Sequence, residues 1–202
     1  MLPELDRFRL VRQNTIAVLN ELTDEQALWI PRRASWSIAQ IGDHLLTTEE
    51  MYRSQFARLI EHGDNIEISL KEVSVAFAAI PHDVIPFFEL PFRMFNQFVP
   101  HSLRETIVRY PMIASLNPQQ SQPREHLDRA KLSQDLAAAI AATEEFFRTP
   151  LPPGVDRLTI NHPILGNNTI QQLLRIMVAH EQRHHEQIGR VRAAAGFPRN
   201  SL

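Results

Sequence analysis

The 202-residue sequence contains no cysteine and only six glycines. Without cysteine the chain has no disulfides, no thiolate metal ligands and no cysteine nucleophile. Any metal site must therefore use histidine, aspartate or glutamate side chains. Because glycine is scarce and long stretches repeat with helical periodicity, the sequence favours an all-α fold.

The sequence also lacks a long apolar run and a strong excess of either charge. No stretch approaches the ~18 apolar residues that a membrane span needs, and the N-terminus, residues 1–6, is too charged for a signal peptide. The formal net charge of −2 disfavours a nucleic-acid groove. We therefore expect a cytoplasmic protein without membrane or nucleic-acid partners, folded as a single domain over 1–202.

Four long amphipathic helices are predicted from the hydrophobic periodicity. They cover about 3–22, 38–62, 128–148 and 170–195. Capping boxes, in which a serine or threonine is followed three residues later by glutamine, support these assignments. They mark the second helix, the fourth helix and a short turn after the first, at Ser37–Gln40, Thr169–Gln172 and Thr23–Gln26.

The segment between the second and third helices, about 64–127, is rich in proline and phenylalanine. A structureless loop of this length is improbable in a compact domain, so we expect one or two short helices that pack against the bundle. Its phenylalanines join the core, cover a ligand cavity or form a dimer contact. They are Phe77, Phe87, Phe88, Phe92, Phe95 and Phe98.

Two histidines of the fourth helix, His180 and His184, are four residues apart, so both imidazoles project from one face and can reach one metal ion. With nine histidines in the chain, chance supplies about 0.4 such pairs, and the spacing alone decides little. Both, however, lie on the apolar stripe that contains Met177 and Ile188, and therefore point into the bundle. A divalent metal would satisfy two buried imidazoles that are otherwise costly.

His44 lies on or beside the buried stripe of the second helix and is the third candidate ligand. Three histidines from two facing helices leave coordination positions open, as in catalytic metal sites. The alternative is that they are hydrogen-bonded core residues. Glu49 is a candidate hydrogen-bond acceptor behind a ligand, and Tyr52 a candidate polar group in the cavity. Asp43 and Glu181 adjoin ligands in sequence and are expected behind the ligands or in solvent.

The remaining histidines are not expected to be ligands. His185 is out of phase with the apolar stripe and is predicted to face solvent beside Glu181. His162 precedes a proline and could approach the mouth of the site. No general base is assigned, and the sequence contains no nucleophile elbow or Gly-rich phosphate loop. The histidines predicted on the surface or in loops are His62, His82, His101 and His126.

Two motifs together resemble the DinB-like family. The start of its second helix is similar to the run Trp36-Ser-Ile-Ala-Gln-Ile-Gly-Asp-His44-Leu. Its fourth helix is similar to His162-Pro-Ile-Leu-Gly166 followed by His180-Glu-Gln-Arg-His184-His-Glu-Gln187-Ile188. The order and spacing of the motifs match, and the resemblance covers most of the chain.

The resemblance implies an up-down-down-up four-helix bundle, with 64–127 as an addition between helices 2 and 3. It implies a homodimer whose divalent metal is held by His44, His180 and His184. Zinc or nickel suits imidazole ligands. The implied activity on a small-molecule substrate is that of a thiol S-transferase, with a low-molecular-weight thiol as co-substrate, or of a hydrolase. The alternative is a non-enzymatic metal-binding stress or interaction module built as a dimeric helical bundle.

Overall fold

The computed structural model describes residues 2–33, 35–68, 99–109, 122–162 and 165–199. Its α-helices are α1 (Pro3–Glu21), α2 (Asp24–Leu28), α3 (Ile38–His62), α4 (His101–Arg109), α5 (Arg129–Arg148) and α6 (Ile170–Ala193). A 3-10 turn covers Val155–Arg157, and three short strands are β1 (Ile66–Glu67), β2 (Ile160–His162) and β3 (Gly166–Asn168). None of the helices within these ranges is both long and apolar enough to cross a bilayer.

The four predicted helices correspond to α1, α3, α5 and α6, and the predicted all-α four-helix bundle is confirmed. All three capping boxes form, each with reciprocal hydrogen bonds between the cap residue and the glutamine. The box at Thr23 starts the short helix α2 rather than a turn. At the other end of α3, Gly63 adopts a left-handed conformation (φ 68°) and its N–H bonds the Leu59 carbonyl, which stops the helix.

The small sheet shows the direction in which the helices run. Its strand order is β1-β2-β3, with β1 parallel to β2 and β2 antiparallel to β3. Because β1 follows α3 and β2 follows α5, both helices run towards the sheet, whereas α6 starts beside β3 and runs away from it. On α1, Phe8 packs with the sheet-end residues and Leu19 with the opposite end. The helix directions are therefore up, down, down and up.

The bundle interior has three layers. The sheet-end cluster contains apolar residues such as Phe8, Tyr52, Phe56, Leu59, Ile160, Leu173 and Met177. The far-end cluster contains Leu19, Leu22, Ile38, Ile41, Leu45, Leu136, Ile188 and Val191. Between them lies a polar layer, in which buried or partly buried polar side chains meet: Arg12, Thr15, His44, Glu49, Thr143, His180, Glu181 and His184.

The segment predicted to add short helices contributes α4, which packs along α6. Arg104 fixes α4 to the sheet, because its guanidinium donates to the Asn167 carbonyl at 2.5 Å and to the Asn168 side chain at 3.1 Å. Near the end of α4, Arg183 of α6 donates to the Val108 carbonyl at 3.3 Å. The six phenylalanines singled out in this segment lie outside the described residues.

Candidate metal centre

The polar layer brings together the three histidines that the sequence singled out. Nε2 of His180 lies 3.2 Å from Nε2 of His44 and 3.1 Å from Nε2 of His184. One ring nitrogen of each lies within 4.8 Å of the others. In a tetrahedral zinc site with Zn–N bonds of 2.0–2.1 Å, ligand nitrogens are about 3.3 Å apart. The three imidazoles therefore enclose a space of the right size for one metal ion.

The surroundings of the histidines favour their neutral form. His44 and His184 are buried, and His180 is partly exposed. Burial lowers the pKa of both His180 and His184 well below the usual value, and the neighbouring imidazoles and the Arg183 guanidinium lower it further. A neutral imidazole is the form that binds a metal ion.

Gln187 orients one of the imidazoles, a role that the sequence analysis did not assign. Its Oε1 lies 2.8 Å from Nδ1 of His184. Because a carbonyl oxygen only accepts, Nδ1 donates and the lone pair of Nε2 faces His44 and His180. The signal was present in the sequence, since Gln187 is three residues after His184 and therefore on the same helix face.

Trp36 forms an aromatic wall against the histidines. Its ring centroid lies 5.0 Å from that of His44 and 6.4 Å from that of His184, where the two rings are nearly parallel at 18°. Trp36 directly precedes the cap of α3, so the capping box that starts this helix also fixes the indole beside the imidazoles. The indole therefore covers one side of the histidine group.

A buried arginine on α1 links the two helices that carry the histidines. Nη2 of Arg12, which is 1% exposed, lies 3.1 Å from Oε2 of Glu49 on α3 and 3.1 Å from Oε2 of Glu181 on α6. The same nitrogen donates to the carbonyl of Leu45 at 3.2 Å. Periodicity gave no sign of this role, because a lone arginine on an amphipathic helix ordinarily faces solvent.

The carboxylates of this cluster also accept hydrogen bonds from threonines. Thr143 donates to Glu49 at 2.7 Å and Thr15 donates to Glu181 at 2.5 Å. Burial raises the pKa of Glu49 and of Glu181, and the Arg12 guanidinium opposes that rise. Glu49 thus contacts Arg12 and Thr143, and its role as an acceptor behind a histidine stays a prediction.

Three further residues that the sequence singled out are buried: Asp43, Glu181 and Tyr52. Asp43 and Glu181 are fully buried, so neither faces solvent, and the alternative place behind the ligands stays a prediction. Asp43 accepts from the backbone N–H of Arg124 at 2.7 Å and from its guanidinium. Tyr52 lies in the sheet-end cluster and stacks on Phe56, and burial raises the pKa of its hydroxyl. Its role as a polar group in the cavity stays a prediction.

The prediction that His185 faces solvent is wrong. It is half-buried, and its Nε2 lies 2.7 Å from Oγ1 of Thr15. Because the single hydroxyl proton of Thr15 goes to Glu181, Nε2 of His185 is the donor. Burial lowers the pKa of His185. The periodicity argument failed here because α1 packs against this side of α6 and covers it.

Among the other histidines, His62 and His126 are exposed, as predicted. His162 is buried in β2, where its Nδ1 accepts the N–H of Leu165 at 3.1 Å, so it forms part of the sheet. His82 and the side chain of His101 lie outside the described residues.

Comparison with known proteins agrees with this architecture. A family model described as the DinB superfamily matches residues 7–188. The chain belongs to the DinB superfamily. A search of curated protein sequences gave no match. This DinB superfamily member carries a three-histidine group that could hold a metal ion.

A solved structure has the same fold. YfiT from Bacillus subtilis is 16% identical, with a TM-score of 0.55 over 96% of this chain and 89% of its own. That protein is described as a probable metal-dependent hydrolase with an unusual four-helix bundle topology. At this level of identity the likeness shows the fold alone. The homodimer and the cytoplasmic location stay predictions from the sequence.

Proposed function

We propose that this chain is a metal-dependent enzyme whose divalent metal ion is bound by His44, His180 and His184. The observation that carries the proposal is the convergence of three Nε2 atoms, at 3.1 and 3.2 Å, in the middle of a helical bundle. Nδ1 of His184 donates to Gln187, so its inward Nε2 carries a lone pair. A divalent ion is a partner that all three converging Nε2 atoms could share.

The donor set fits zinc or nickel better than magnesium or calcium. All three donors are imidazole nitrogens, and the group contains no carboxylate. Imidazole suits zinc and nickel, whereas magnesium and calcium prefer oxygen ligands. Three protein ligands leave positions for an exogenous ligand, as catalytic sites do.

The reaction class follows from what such a centre can activate. A bound divalent ion supplies Lewis acidity and lowers the pKa of a water or a thiol that coordinates to it. Around it, Gln187 fixes the tautomer of His184 and Trp36 shields one side. Glu49 and Glu181 are held by Arg12 and the threonines, so neither carboxylate is free to remove a proton at the centre.

Two activities share this chemistry. Hydrolysis uses water as the nucleophile and is supported by the description of YfiT. Thiol S-transfer uses a low-molecular-weight thiol and is supported by the family resemblance of the two histidine motifs. In both, the chain binds and orients the nucleophile, and the substrate is a small electrophilic molecule.

The test is turnover that depends on both the metal and the three histidines. The purified full chain would be loaded with zinc or nickel. It would be assayed with activated esters, and with an alkylating electrophile in the presence and absence of a small thiol. We expect turnover that a chelator abolishes and added metal restores. His44→Ala, His180→Ala and His184→Ala should each abolish it, whereas the exposed-site control His62→Ala should retain it.

The outcome also separates the enzyme from a non-enzymatic module. If the protein binds one metal ion but turnover is the same with and without chelator, the metal serves another purpose and the enzyme proposal is wrong. Dependence on the thiol would identify the transferase, and turnover without thiol the hydrolase.

A further inference from the structure

Arg12 connects α1 to both ligand-bearing helices at the height of the histidines. On α3 it contacts the carboxylate of Glu49 and the carbonyl of Leu45, the residue after His44. On α6 it contacts Glu181, the residue after His180. One residue corresponds to about 1.5 Å along a helix axis, so two of the three contacts lie within a fraction of a turn of a ligand.

The rest of the interior gives the helices less directional contacts. Above and below the polar layer, α3 and α6 meet through apolar side chains of the sheet-end and far-end clusters. Apolar packing tolerates substitutions of similar volume and small shifts. The contacts of Arg12 instead join defined groups: an ion pair at 3.1 Å to one carboxylate on each helix, and a hydrogen bond to the Leu45 carbonyl. A shift of one helix would leave buried charges without their partners, which is costly.

A metal centre whose ligands lie on two helices requires a well-defined relative position of those helices. Metal–ligand distances in real sites hold to about ±0.2 Å, and His44 is on α3 while His180 and His184 are on α6. Any axial slide of α3 against α6 would separate His44 from the pair. The arginine contacts oppose such a slide because Arg12 is held by both helices at once.

Resting on the metal site proposed above, we propose that Arg12 is a positioning residue that, through Glu49 and Glu181, holds α3 and α6 at the spacing the three-histidine centre requires. Within the described residues, Nη2 of Arg12 contacts Glu49, Glu181 and the Leu45 carbonyl but none of the ligand nitrogens. Its Nε and Nη1 make no hydrogen bond there, nor do the two carboxylate oxygens that face Nη2, so the carboxylate contacts are ion pairs. If Arg12 served stability alone, apolar side chains could replace it and its two carboxylates without changing the affinity for the metal ion.

The main test replaces the whole cluster, since removing Arg12 alone would leave two buried carboxylates. The variant R12M/E49L/E181L substitutes apolar side chains of similar size, which buried ion clusters commonly tolerate. We expect a folded protein with an unchanged or higher Tm. Its zinc dissociation constant, measured by competition with a chelating dye, should rise by about 10–100-fold. The absorption spectrum of the cobalt-loaded variant should also change, because the donor geometry changes.

A matched control uses another ion pair between α1 and α6, the helices that Arg12 and Glu181 also join. Glu4 of α1 accepts from Arg175 of α6 at 2.9 Å, at the sheet end of the bundle. The variant E4Q/R175M removes this pair and leaves the polar layer intact. We expect its zinc affinity to stay within about threefold of the wild type, because the change is distant from the ligands. Its cobalt spectrum should match that of the wild type.

A milder variant keeps the proposal testable if the triple variant fails to fold. Glu49→Gln preserves an acceptor for Thr143 and a neutral contact to Arg12 while removing the ion pair. It should weaken zinc binding by about 3–10-fold, less than the triple variant. Zinc affinity and a cobalt spectrum like those of the wild type, in E49Q and in any folded triple variant, would overturn the positioning role. Wild-type protein that binds no zinc would instead overturn the proposed metal site itself.

Discussion

The polar layer and the two apolar clusters that enclose it are built on the same four helices by opposite rules. The apolar clusters bury residues such as Phe56 and Leu173 completely, and each such residue gains stability from its own burial. The polar layer buries an arginine, two carboxylates and two imidazoles in the same interior, beside the partly exposed His180. Each of those groups costs free energy unless a partner satisfies it.

This difference separates the residues that stabilise the bundle from the residues that form its candidate metal site. Burial raises the pKa of Glu49 and Glu181 and lowers that of His180 and His184, so all four resist being charged where they are. An apolar layer at the same height would pack as well at no electrostatic cost. The polar layer is therefore best understood through its histidines and the groups that hold them in place.

The largest effect should come from removing the buried charge that balances the layer. Arg12→Met leaves Glu49 and Glu181 buried without a counter-charge, and should destabilise the protein by about 3–5 kcal/mol. Denaturant unfolding of the metal-free protein measures it. The control is Arg9→Met on the same helix, whose ion pairs are partly exposed, with an expected cost of about 0–1 kcal/mol. An equal loss of unfolding free energy in the two variants would show that Arg12 does not balance the buried carboxylates.

Truncating a buried side chain in an apolar cluster should lower stability but leave metal binding unchanged. Leu173 is fully buried on α6, two turns before His180. Leu173→Ala should cost about 2–5 kcal/mol through lost burial and the cavity it leaves. Zinc affinity of the folded variant should stay within about threefold of the wild type. A parallel loss of zinc affinity would mean that the layers are not independent.

Within the polar layer, Gln187 offers a change that should affect metal binding more than stability. Gln187→Ala removes the acceptor that fixes the His184 tautomer, and should raise the zinc dissociation constant by about 10–100-fold. Glu186→Ala is the control, since Glu186 is the exposed neighbour. Competitive zinc titration of both variants gives the comparison. If Q187A binds zinc as tightly as E186A, the hydrogen bond does not orient the ligand.

The smallest expected effect is on the pH dependence of the metal-free protein. His180 and His184 have pKa values lowered by burial, so below about pH 6.5 the unfolded chain binds more protons than the folded one. Their contribution to stability is therefore present above that pH and is lost as the pH falls towards the lowered values. Denaturant unfolding at pH 7.5 and 5.5 measures the loss. The loss of unfolding free energy between the two pH values should be smaller in H180Q/H184Q and unchanged in H62Q. If the double variant lost as much stability as the wild type, His180 and His184 would not be its source.

Much of the fold could be predicted from sequence because its determinants are local. The capping boxes at Ser37 and Thr169 involve residues three apart, and the inward phase of His180 and His184 follows from their own helix. The role of Arg12 could not be predicted, since its partners lie on other helices and are distant in sequence. The same holds for the sheet, where β1 pairs with a strand some ninety residues later.

The central claim is that His44, His180 and His184 bind one divalent metal ion. Elemental analysis of the full chain, purified without chelator, tests it most directly, alongside the variant H44A/H180A/H184A. The account predicts about one zinc or nickel per wild-type chain and none in the variant, with X-ray absorption showing three imidazole ligands. A wild-type protein without stoichiometric metal, or a variant that retains it, would contradict the account.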